Sequence, residues 1–190
     1  MAIVPSRRRQ SPGDLITQWR PGVASARATQ DAALAALLGG NLFGRLAMHP
    51  ALTAVTDKEE RGRVLNRAWQ RYGTVNSAAL AALVAGWLSA RDAESARRSS
   101  RHRRRLILAK DVAVGTVVVT GLASALGGLG FARQAPGGAV PMESGSEPAD
   151  ETPRRAAALK QTVNVLGDLN LAAEVALLVI DAQLDGRGTR

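Results

Sequence analysis

Apolar residues along this chain gather in four stretches separated by charged connections, and the two middle stretches carry no charge at all. "YGTVNSAALAALVAGWLSA", Tyr72 to Ala90, and "VAVGTVVVTGLASALGGLGFA", Val112 to Ala132, each come close to the ~20 residues that carry a helix across a bilayer. The β-branched run in the latter is too long for a single buried strand. Tyr72 and Trp87 stand near the two ends of the second stretch, where aromatic rings settle at membrane interfaces. The first stretch, Ala32 to Val55, contains Asn41, Arg45 and His49. The fourth, Gln161 to Leu184, contains Asp168, Glu174 and Asp181. Beside two charge-free neighbours, these read as the inner helices of a bundle. The pattern predicts an all-α protein: an integral membrane four-helix bundle, antiparallel and up-down. Its membrane domain covers 31–184, with spans at about 32–55, 72–90, 111–132 and 161–182. The alternative is a two-helix hairpin of the second and third stretches, with the other two at the surface or forming soluble helices.

The connections differ in charge. From Arg91 to Lys110 there are eight Arg/Lys against two acids, whereas 134–153 holds four acids, no base, and much Pro, Gly and Ser. The first has the character of a cytoplasmic loop and the second of a flexible acidic exoplasmic one. Alternation then places both termini in the cytoplasm, with the chain multi-pass in a cell inner membrane. Residues 1–30 form a basic tail. Within it Ser11, Pro12 and Asp14 suggest the start of a short interfacial helix, a disordered tail being equally consistent. In "TDKEERGRVLNRAWQRYG", Thr56 and Glu59 have capping-box spacing. Val64, Leu65, Ala68, Trp69 and Tyr72 share a helical face beside a stripe of Arg63, Arg67 and Arg71. That predicts an amphipathic helix lying in the interface before it turns into the second span.

Asn41, Arg45 and His49 recur at every fourth residue and so lie in one slowly drifting stripe, with Gly40 and Gly44 as a GxxxG pair beside it. Asn170, Glu174 and Asp181 share a face of the fourth stretch, with Asp168 on a second polar strip. An unpaired ionised side chain at the bilayer centre costs at least ~2.5–3.5 kcal/mol. Depth matching to within about one turn, the reach of an Arg side chain, therefore predicts Arg45 opposite Glu174 and His49 near Asp168. The cluster of Asn41, Arg45, His49, Asp168, Asn170 and Glu174 is the candidate site. It is a structural ion pair or a polar cavity for a ligand, or else the first stretch is framed differently and Arg45 snorkels to an interface.

Composition adds exclusions. The chain has 190 residues, no cysteine, and two histidines, His49 and His102, the latter inside an Arg run. Thiolate chemistry and a His-pair metal site are excluded, and no metal or cofactor is expected. Aromatics are only 3% of residues while Ala, Leu, Val and Gly abound, which suits close helix packing in lipid. The net charge of +9 calls for an anionic partner. The run of Arg97, Arg98, Arg101, Arg103, Arg104 and Arg105 lies between two apolar spans, so membrane lipids with anionic headgroups are expected there and nucleic acid is not. A homo-oligomer is compatible with the small-xxx-small pairs Gly121–Ala125 and Ser124–Gly128.

"GGNLFGRLAMHPAL", with its Gly-rich apolar run, Phe43 and the His49-Pro50 pair, resembles the first helix of the small four-helix membrane proteins related to anthrone oxygenases. The layout of four spans in under 200 residues is similar as well. Where that family has a Trp-Asn type motif near the last helix, this chain has "VLGDLNLAAEV", which matches through Asn170 alone. The resemblance implies His49 as a candidate catalytic residue in cofactor-free oxidation of a polycyclic aromatic. The residues themselves leave open a non-enzymatic membrane protein.

Overall fold

The computed structural model describes residues 22–96 and 100–185. The described chain is all-helical apart from one isolated bridge between Met142 and Pro148. Four long helices account for most of it: α1 (Val23–Phe43), α2 (Lys58–Ala96), α3 (Arg101–Ala132) and α4 (Arg154–Asp185). α1 packs most extensively on α2, and α3 on α4, while α2–α3 and α1–α4 contacts complete the ring. Contacts run in opposing order along each neighbouring pair. On α1 and α2, Gln30 meets Gly86 and Ala36 meets Tyr72. On α3 and α4, Lys110 meets Asp181 and Gly127 meets Val163.

α1 does not stop where regular α-geometry stops. It runs on through a five-residue π turn, Gly44–Met48, a further helical turn, His49–Ala51, and a 3-10 turn, Leu52–Ala54. Pro50 explains the widened turn. It has no N–H to offer and its ring crowds the carbonyl one turn back, so the chain loosens ahead of it. The His49 N–H reaches back five residues to the Gly44 carbonyl.

Three helices, α2, α3 and α4, are long and apolar enough to cross a membrane; α1, with Gln30, Asp31 and Asn41 inside it, is not among them. The expected interfacial helix and second span are one uninterrupted helix. Its start is capped by Asp57, not Thr56: Oδ1 accepts from the Glu59 amide at 2.8 Å and the Glu60 amide at 3.3 Å. The expected GxxxG role of Gly40 and Gly44 also differs. Instead of admitting a backbone, the missing side chains seat the rings of Tyr72 and Trp69. The close backbone approach falls at Gly86, where an added Cβ would stand 2.7 Å from the Ala26 carbonyl. The 1–30 tail up to residue 21, with its Ser11–Asp14 helix start, and Arg97 and Arg98 lie outside the described residues.

Two apolar layers hold the helices together. One joins all four, with Leu34, Leu37, Leu83, Val117 and Leu177 at its centre. The other, at the opposite end, gathers Leu52, Leu65, Phe131, Val140, Met142 and Ala156. The second layer draws in the acidic segment 134–153, expected as a flexible loop. Val140 and Met142 are buried, and Gly137 and Gly138 turn the chain with positive φ. Arg61 donates to the Val55 and Glu143 carbonyls at 2.5 and 2.6 Å, the Met142 amide donates to the Lys58 carbonyl at 3.0 Å, and Asn66 donates to the Gly138 carbonyl at 2.7 Å. The segment is a cap laid over the ends of α1, α2 and α4. Its acids point outward, while its small and apolar residues supply the contacts that Pro, Gly and Ser content conceals.

Candidate functional site

The polar residues lie between the two apolar layers. The Asn41 amide donates to both oxygens of Glu174, at 2.9 and 3.0 Å, and to Asn170 Oδ1 at 3.1 Å. Asn170 in turn donates to the Val117 carbonyl and to Thr120 Oγ1, both at 2.9 Å. Glu174 is fully buried and Asn170 nearly so. One knot thus ties α1, α3 and α4. A second, about two to three turns away, joins the same helices. Asp181 accepts from Gln30 at 2.7 Å and pairs with the buried Lys110 at 2.9 Å. Buried polar groups at such depth require partners, and these have them.

Approximate depth matching put Arg45 opposite Glu174; the structure pairs Arg45 with Asp168. The cause is register. Gln30–Asp181, Asn41–Glu174 and Arg45–Asp168 form one ladder. It places Arg45 nearly two turns closer to the start of α4 than the expected Glu174 partner. His49, expected near Asp168, instead shares a 3.1 Å hydrogen bond between Nδ1 and Ser146 of the cap, and its Cβ side presses on Gly145. Its ring meets Trp69 edge-on at 6.1 Å, and Trp69 meets Tyr72 at 6.0 Å. The Tyr72 hydroxyl donates to the Ala36 carbonyl at 2.7 Å. The six sequence-singled residues therefore fall into three groups: Asn41, Asn170 and Glu174 together, Arg45 with Asp168, and His49 with the cap.

A cleft of about 640 Å³ opens between α2 and α3, floored by α4. That is within the ~300–1,000 Å³ of small-molecule sites. Trp69, Tyr72, Phe131, Lys160 and Asn170 contribute to its walls. His49 is set behind Trp69 rather than in the lining. Two residues here escaped sequence reading. Lys160 and Lys110 each stand one residue before a predicted span, where a lysine is expected to reach out to the headgroups. Both are instead buried, at 5% and 3% exposure. Lys110 has an acid on the facing helix, Asp181. Lys160 has no hydrogen-bonding or ion-pair partner among the described residues, and the nearest strong charge acting on it is Arg45, of the same sign.

No family model, curated protein or solved structure matches this chain.

Proposed function

We propose that this chain is a multi-pass protein of a bacterial inner membrane, its four helices an antiparallel up-down bundle with both termini cytoplasmic. In this reading the Asn41–Asn170–Glu174 knot and the Arg45–Asp168 pair are structural seams. The function is to hold a ligand in the cleft beside them, without chemical turnover. One observation carries the proposal: polarity is inverted. Only 28%, 28% and 22% of the apolar stretches of α2, α3 and α4 is buried, while Gln30, Lys110, Asn170 and Glu174 are inside. Leu126, Val119, Leu108 and Leu46 are more than 60% exposed. Water would penalise so much contiguous apolar surface, whereas lipid does not.

Alkaline carbonate washing of membranes from cells expressing the full chain tests this. The protein is expected to stay in the pellet, and release into the supernatant would overturn the reading. The resemblance to anthrone-oxygenase relatives supports a second reading, in which the cleft takes a fused-ring aromatic beside Trp69 and Phe131. Oxidation of an anthrone by the purified protein, lost in His49→Ala, would favour it over simple binding.

A further inference from the structure

An ammonium held inside a protein is costly unless an opposite charge or several acceptors meet it. Lys160 is nine-tenths buried and lines the cleft, yet no acid or hydrogen-bond acceptor meets it among the described residues. Three acids along α4 are already engaged: Asp168 by Arg45, Glu174 by Asn41, Asp181 by Lys110 and Gln30. The Ser124 hydroxyl, in the same lining, is buried without a partner. Leu65, Phe131, Leu129 and Val163 give the wall its apolar part, most continuous on the α3 side, while α2 adds polar side chains from Asn66 to Ser77. Leu129 is also among the exposed apolar residues of α3, so the cleft is continuous with the apolar outer face. We propose that the cleft binds an anionic amphiphile with one apolar tail, its head group against Lys160 and its tail between α2 and α3. The proposal rests on the membrane reading for the supply of such a ligand from the surrounding lipid.

The test uses full-length protein extracted from the membrane pellet and placed in phosphatidylcholine nanodiscs. Failure to recover it from the pellet refutes the membrane reading before any titration begins. Parinaric acid and its uncharged methyl ester are then titrated, with energy transfer from the protein tryptophans as readout. The acid is expected to bind at least ~10-fold more tightly than the ester, the size of one charge-assisted hydrogen bond. Palmitate and lysophosphatidylglycerol as competitors tell a carboxylate head from a phosphate head, and displacement by either agrees with the proposal. Lys160→Met should erase the preference for acid over ester, and Lys160→Arg should keep it. Without ligand, Lys160→Met should melt at a higher temperature than the parent, because a stranded charge is gone. An added Cβ on Gly128 meets nothing within 4 Å, so Gly128→Leu should fill the cleft without disturbing the fold and exclude acid and ester alike. Equal binding of acid and ester by the parent protein, an unchanged preference in Lys160→Met, or full binding by Gly128→Leu would overturn the proposal.

Discussion

Asn41 is a neutral side chain facing a fully buried carboxyl, and removing it leaves Glu174 with one fewer donor where water cannot substitute. Asn41→Ala is expected to lower stability in detergent by ~1–3 kcal/mol, measured by thermal melting. Asn41→Asp should cost more, since it sets a second acid against the first. Arg45 supplies a sharper comparison. A double-mutant cycle of Arg45→Leu with Asp168→Leu should give a coupling of ~0.5 kcal/mol or more. The cycle of Arg45 with Glu174 should give less, because no direct contact joins them. The reverse order would contradict the register of α1 on α4. At this scale the sequence showed which polar residues interrupt apolar stretches, because that depends on residue type alone. It did not show their partners. Those depend on the offset between α1 and α4, which only the ladder Gln30–Asp181, Asn41–Glu174 and Arg45–Asp168 reveals.

Hydropathy alone marked α2 and α3, while α1 and α4 were legible only beside those two neighbours. The irregular elements were less so. The π turn follows from Pro50, but the sequence does not say whether such a helix kinks, stops or widens. The cap was hidden for a different reason: beside the buried Val140 and Met142, its order comes from the Glu143 and Gly138 carbonyls held by Arg61 and Asn66, which no pattern within the segment announces. Arg61→Ala is therefore expected to open the 134–153 segment to limited proteolysis while the helices persist. A smaller contribution comes from the cap's acids. Lys58 lies 3.0 Å from Glu143 and 3.3 Å from Glu151. The Glu151 backbone amide, and after it the Lys58 ammonium, hold the Glu151 carboxyl below its ordinary value of 4.5. A depressed carboxyl stabilises the fold above its unfolded value and loses that effect as pH falls through the folded one. Cap protection should thus be flat from neutral pH to about 5 and weaken below 4.5. Glu151→Gln should remove part of the weakening, a small part because the group is fully exposed.

For the whole molecule, the ends differ as their charges suggest. The first turn of α3 presents Arg101, Arg104 and Arg105 to the exterior, and the cap at the other end presents Glu143, Glu147 and Asp150. Between them runs an apolar exterior around a polar seam. The central claim is that this exterior faces lipid, with the basic end in the cytoplasm. Because the chain has no cysteine, single cysteines at Glu147, His102 and Leu126 can be labelled in intact cells with an impermeant, water-soluble thiol reagent. The account predicts that Glu147→Cys reacts at once and His102→Cys only after the membrane is permeabilised. Leu126→Cys, at 70% exposure in the folded chain, should react in neither case until the protein is denatured. Ready labelling of Leu126→Cys in the folded protein would show that its apolar faces meet water and would contradict the account; labelling of His102→Cys but not Glu147→Cys in intact cells would invert its topology.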